Sequence, residues 1–288
     1  MSEPLLKKIQ ALSPCGLHRM AYWEWGAADN PRVLVCVHGL SRQGRDFDTL
    51  ARRLSDRYRV ICPDVVGRGE SDWLGDPRNY SLPQYVSDMV TLLARLDVGQ
   101  VDWVGTSMGG LIGLALAAMP ASPVARLVLN DVGPGIEFEA LVRIAGYLGR
   151  APLFESCQQG ADYLRSISAG FGPHTDEQWL VLSRPMFKAD GDRCRLHYDP
   201  RIAQGLAGLT PELAKAGEAQ LWAAYDAIRC PTLLLRGAES DLLSRETAQA
   251  MGLRGPRAQL HEFAGVGHAP MLVQPEQIAV VERFLDGR

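Results

Sequence analysis

The sequence predicts an α/β fold built on a mostly parallel sheet flanked by helices, and two observations carry that expectation. Short apolar runs rich in β-branched residues recur along the chain, and amphipathic helical patterns separate them. A strand without polar alternation is buried on both faces, the condition of a parallel sheet covered by helices. Strand, helix and strand repeated in this way give right-handed crossovers within one sheet.

The buried strands are "RVLVCVHG" (32–39), "RVICPDV" (59–65), "QVDWVGTS" (100–107), "ARLVLNDVG" (125–133) and "CPTLLLRGA" (230–238). "AQLHEFAGVGH" (258–268) alternates, which places it nearer an edge, and "HRMAYWEWG" (18–26) alternates as an early antiparallel strand would. Over 45–57, Phe47, Leu50, Ala51 and Leu54 form one apolar face. Over 82–96, Leu82, Val86, Met89, Leu93 and Leu96 do the same, with Ser81 and Gln84 in capping-box positions. The 108–119 run is small and apolar all round, so a buried helix is expected. The last helix spans about 275–285, with Ile278, Val281, Phe284 and Leu285 facing inward.

One region breaks the rhythm. From Pro134 to Ile228 the pattern is helical and interrupted, with aromatics throughout and no strong strand. The economical division is a core of residues 1–134 and 229–288 with a helical insertion over 135–228. Trp179, Trp222 and Tyr147 are the insertion aromatics expected to line a substrate pocket, although most such rings serve their own core.

Bulk properties exclude several classes. The chain has 288 residues, 47% hydrophobic and 22% charged, with a net charge of -3. Such a balance is that of a globular protein and does not suggest nucleic acid or an anionic membrane as partner. No run reaches the roughly 18 apolar residues of a membrane span. The start "MSEPLLKKIQALSPCGLH" lacks the apolar core of a secretory signal. The six cysteines are scattered without a C-x-x-C pair, so a cytoplasmic protein without a disulfide scaffold is expected. The six histidines show no H-x-H or H-E-x-x-H spacing, which argues against a metal site.

The chemistry centres on "VGTSMGG". A G-x-S-x-G match is expected by chance roughly 0.15 times in a chain this rich in glycine. Its context is what gives it weight: Ser107 ends a buried strand and begins a helix, the setting of a nucleophile elbow. Gly105 and Gly109 let strand and helix approach closely. The helix N-terminus directs N–H groups toward developing negative charge, with Met108 N–H as one oxyanion donor. A serine hydroxyl needs a base, and His268 in "AGVGHAPML" follows the last strand. The base in turn needs a carboxylate. Asp241, in "LLLRGAESDLLS", fits best, a few residues past a strand end. Asp131 and Glu239 are alternatives, and Asp131 also reads as a turn cap. The loop "VHGLSRQGRDF" supplies the second donor, Leu40 N–H, with His38 as a structural ring beneath it. Arg68 and Arg143 are candidates for reading a substrate carboxylate, with a surface position as the default.

His38-Gly39, "DVVGRGESD" (64–72), "GTSMGG" (105–110) and "GVGHAP" (265–270), taken in order, resemble the α/β-hydrolase superfamily over about 30–285. The resemblance implies an eight-stranded, mostly parallel sheet with 135–228 in the place of a cap. It also implies a Ser107–Asp241–His268 triad and an acyl-enzyme mechanism without cofactor. Cap-bearing esterases, enol-lactonases and carbon–carbon bond hydrolases are the nearest in character. Serine at 107 sets the chain apart from dehalogenases with aspartate there, and Thr106 stands where many esterases and lipases have histidine. The expected function is hydrolysis of a small or medium carboxylic ester or lactone by a monomer or homodimer. Cleavage of a ring-fission diketone and a slow, hydrolase-fold ligand receptor are the alternatives. A dinucleotide site is disfavoured, since "GTSMGGLIG" contains no G-x-G-x-x-G.

Overall fold

The computed structural model describes residues 3–287. Eight strands form one sheet: β1 (Leu5–Ser13), β2 (Gly16–Trp25), β3 (Val33–Val37), β4 (Arg59–Pro63), β5 (Val101–Thr106), β6 (Val124–Asn130), β10 (Thr232–Gly237) and β11 (Gln259–Phe263). Their spatial order is β1-β2-β4-β3-β5-β6-β10-β11. β1 and β2 form an antiparallel hairpin, β2 runs antiparallel to β4, and every later pair is parallel. The β5 strand therefore ends near the middle of the sheet, where side chains from several strand ends can meet.

Burial follows the sequence pattern. Val33–Val37 is buried at every position, as is Thr232–Gly237. The sheet separates two apolar clusters. One gathers Val35, Trp103, Ile112, Leu127 and Leu234. The other gathers Leu34, Val104, Val128, Leu235 and Phe284 on the opposite face. Odd and even residues of the same strand thus serve different layers, the two-face burial expected of a parallel sheet.

Helices α1 (Asp48–Leu54), α2 (Leu82–Leu96), α3 (Met108–Ala117), α8 (Arg245–Leu253) and α9 (Pro275–Leu285) cover it. Ser81 caps α2 by position, but the expected capping box is not formed. The Gln84 amide donates instead to Leu12 O (2.9 Å) and Asp88 Oδ1 (2.7 Å), tying the helix to β1. The α3 helix is held to its own strand by the Trp103 indole, which donates to Gly109 O at 3.0 Å. No described helix is long and apolar enough to cross a membrane.

Between β6 and β10 the chain leaves the sheet. It forms α4 (Phe138–Tyr147), α5 (Cys157–Ile167), α6 (Asp176–Ser183) and α7 (Pro211–Ala227). It also forms a feature the sequence reading lacked, a small antiparallel sheet of β7 (Leu153–Phe154), β9 (Arg193–Leu196) and β8 (Phe187–Asp190). The β8–β9 hairpin closes on the pair Asp190 and Arg193 through a two-residue turn, Gly191-Asp192, in which Gly191 takes φ +61° within a strongly charged stretch. Phe154 packs against Tyr163 (5.4 Å between ring centroids) and Phe187 (5.6 Å), giving the segment an aromatic core of its own.

Candidate active site

Ser107 sits between β5 and α3 at φ 52° and ψ -117°, a backbone conformation that costs a non-glycine residue about 1–3 kcal/mol. Its N–H is held by Asn130 O on the neighbouring β6 at 3.0 Å. The turn is possible because Gly105 and Gly109 lack side chains. A Cβ on Gly105 would strike the Gly109 carbonyl, and one on Gly109 would strike the carbonyl of Val37.

His268 lies in the loop after β11. Its Nε2 is 3.1 Å from Ser107 Oγ, and its Nδ1 is 2.7 Å from Asp131 Oδ2. Because the Asp131 carboxylate only accepts, the ring proton belongs on Nδ1, which leaves Nε2 free to accept from the serine hydroxyl. Asn130 secures the assembly from below. Its amide donates to Thr106 Oγ1 (2.9 Å) and to Pro270 O (2.7 Å), joining the strand that carries the serine to the loop that carries the histidine.

The carboxylate is therefore not the one expected. Asp241, assigned in the sequence reading to orient His268, is half-exposed and pairs with Arg143 on α4 at 2.6 and 2.9 Å. Asp131 takes its place for a reason of sheet order. The end of β6 lies one strand from Ser107, whereas the end of β10 lies two strands away, each step being about 4.8 Å. Asp131 directly ends β6 at φ 55°, its N–H held by Leu235 O at 2.8 Å. Its carboxylate is fully buried. It accepts from Gly237 N–H (2.8 Å) and from the Ser240 hydroxyl (2.6 Å) besides His268. The loop after β10 thus takes part through Ser240, not Asp241. Glu239, the other alternative, has no hydrogen bond to His268 among the described residues.

Two backbone donors flank the serine. Met108 N–H is at the first position of α3, and Leu40 N–H is in the loop after β3; neither has a hydrogen-bond partner among the described residues. Gly39 packs against Ser107, leaving 3.7 Å between a Cβ built at Gly39 and that of the serine. His38 lies fully buried beneath this loop. It donates from Nδ1 to Gly39 O (2.7 Å) and accepts Val65 N–H at Nε2 (2.9 Å). Burial pulls its pKa down to about 3, so it is a neutral brace. Arg68 is also fully buried and not at the surface. Its Nε donates to Leu40 O (2.8 Å) and its Nη1 to Val66 O and Tyr85 Oη, so its fork is spent on the loop.

A cavity opens over Ser107 and His268, with about 80 Å³ accessible to water. Ile144, Leu164, Met186, Leu196 and Met271 supply apolar wall, and Tyr147 and Arg143 supply polar groups. Burial pushes the Tyr147 phenol up, so it stays a neutral donor. The two tryptophans expected here stand elsewhere. Trp179 stacks on Phe171 (6.1 Å, 10° between planes) beside His174. Trp222 lies on α7 with the Arg254 guanidinium 4.4 Å above its ring and its indole donating to Glu218. Aromatic content marked the segment but not which face of each helix looks inward.

Comparison with known proteins agrees with this architecture. The model of the Alpha/beta hydrolase family matches residues 34–281. The chain is 54% identical to a 3-hydroxybutyrate-oligomer hydrolase of Cupriavidus necator, covering 99% of each chain. It is 28% identical to a 2-hydroxymuconate semialdehyde hydrolase of Pseudomonas putida, covering 81% of this chain and 79% of that one. The crystal structure of an alpha/beta hydrolase from Novosphingobium aromaticivorans superposes with a TM-score of 0.86 at 37% identity over 99% of both chains. With its eight-stranded sheet and a strained serine at the end of β5, this chain belongs to the α/β hydrolase family and is a hydrolase.

Proposed function

We propose that this chain hydrolyses esters by way of Ser107, His268 and Asp131, and that its substrates are short oligomers of a 3-hydroxy acid. The observation that carries the reading is the unbroken hydrogen-bonded series Asp131–His268–Ser107 opening into a cavity with apolar walls. His268 Nε2 takes the serine proton as Oγ attacks the ester carbonyl. Leu40 and Met108 N–H groups hold the oxyanion, each contributing about 3 kcal/mol in the transition state. The carbonyl–alkoxide bond then breaks, and His268 returns the proton to the leaving oxygen. Water, deprotonated by His268, attacks the acyl-serine; the acid leaves and Oγ regains its proton. Asp131 holds the imidazole in one tautomer and stabilises its charged form.

The segment over 135–228 acts as the cap, its α4 and α5 roofing the cavity. The narrow apolar cavity suits short, methyl-branched acyl groups better than long chains, and the 54% identity to an enzyme named for 3-hydroxybutyrate oligomers supports that class. The test is a panel of 3-hydroxybutyrate dimer and trimer, aryl acetates, lactones and a vinylogous ring-fission diketone, assayed on wild type and Ser107→Ala. Turnover of the oligomers, lost by at least roughly 1000-fold in the variant, is expected. Turnover of the diketone alone would move the reading to carbon–carbon bond cleavage. Tight binding without turnover would move it to a receptor.

A further inference from the structure

Three arginines approach the site, and they are not equivalent. The Arg68 guanidinium is buried behind the Leu40 loop and donates to backbone carbonyls and to Tyr85. Arg42, in the cavity wall, is committed to Asp46 at 2.8 and 2.6 Å and to Leu182 O at 2.9 Å, with both side chains nearly buried. Arg143 differs. Its ion-pair partner among the described residues is Asp241 alone, and the two side chains are 43% and 49% exposed. Such half-exposed pairs are among the weakest in proteins, because water competes for both partners.

Arg143 also occupies a junction. It lines the narrow cavity over Ser107 and, with Tyr147, Ile167 and His268, a second cavity of about 390 Å³ that Glu239 and Asp241 border from the core. The side of His268 is where the alcohol half of an ester departs, since that half must collect the histidine's proton. In a linear oligomer of 3-hydroxy acids, the alcohol half is the one that carries the free carboxylate.

We infer that Arg143 is a specificity-determining residue which takes the terminal carboxylate of the leaving half, with Asp241 occupying its fork until substrate arrives. This rests on the ester-oligomer reading above. The two-point contact with Asp241 shows that the fork accepts a carboxylate bidentately. A carboxylate delivered from the cavity side meets the same fork with less water around it. The enzyme then cleaves next to the carboxyl end, releasing that terminal hydroxy acid first.

The experiment compares kcat/KM for the 3-hydroxybutyrate dimer and for its carboxyl methyl ester in wild type, Arg143→Gln, Arg143→Lys and Asp241→Asn. It also follows a trimer isotopically labelled in its carboxyl-terminal unit. Wild type is expected to prefer the free acid. Arg143→Gln should lower kcat/KM on the free acid at least about tenfold more than on the methyl ester, chiefly through KM, with part recovered by lysine. Asp241→Asn should lower KM for the acid, and the label should appear first in monomer. Equal losses on acid and methyl ester, or label appearing first in dimer, overturn this inference alone. Failure of wild type to turn over either form overturns the substrate reading and this inference with it.

Discussion

Two acidic loops leave the sheet side by side, one after β6 and one after β10, and they use their aspartates in opposite ways. Asp131 is fully buried, accepts three hydrogen bonds and touches His268. Asp241 is half-exposed, and among the described residues its ion-pair partner is Arg143 alone. A buried carboxylate must be fully satisfied or it is expensive, and that requirement fixes its geometry. An exposed one is free to trade partners. The contrast separates a carboxylate that burial fixes in place from one that solvent leaves free, even though both come from neighbouring loops.

The contrast is broken most directly at its buried end. Asp131→Asn should reduce kcat on the order of 10⁴-fold while leaving the fold intact, since the amide cannot hold the required tautomer. A mild effect, with a severe one from Asp241→Asn, would return the role to the β10 loop. Next comes Ser240, through which that loop supports Asp131. Ser240→Ala should cost roughly 10- to 100-fold in kcat/KM, the worth of a hydrogen bond to a charged group, with the melting temperature little changed and with threonine restoring activity.

His38 extends the comparison to a buried base. Its folded pKa, about 3, lies below the ordinary 6.5, so its contribution is fully present above pH 6.5 and is lost as pH falls toward 3. The stability advantage of wild type over His38→Asn should therefore shrink on acidification by an amount on the order of 4 kcal/mol. Denaturant titrations of both proteins from pH 7 to pH 3.5 measure it, and an advantage that does not change with pH would remove His38 as a neutral brace. The smallest effect belongs to the exposed end: Asp241→Asn should shift kcat/KM on an uncharged aryl acetate by less than about threefold.

Much of this was legible in the residues. The buried strands announced themselves by unbroken apolar runs, and Ser107 and His268 by glycine-rich turns at strand ends. The first strand was not, because "LLKKIQALS" sits at the sheet edge, where Lys8 faces solvent, Lys7 pairs with the buried Glu24, and only Ile9, Ala11 and Ser13 are buried. The β8–β9 hairpin was hidden among charges that mask its alternation. That the carboxylate beside His268 is Asp131 and not Asp241 was not legible, because strand order in space is not written along the chain. Sequence distance made Asp241 attractive, whereas lateral distance across β5, β6 and β10 favours Asp131. For Trp179 and Trp222, composition told which segment was aromatic but not which rings meet the cavity.

The short connection from Asp131 to α4 has a mechanical consequence. It is clamped at both ends to the same neighbour, by Asp131 N–H on Leu235 O at 2.8 Å and by Glu137 N–H on Leu242 O at 3.0 Å. Gly133, Pro134 and Gly135 lie between these anchors. A displacement of α4 that begins beyond Glu137 would leave these two anchors in place, and with them the hydrogen bonds of Asp131 to Gly237, Ser240 and His268.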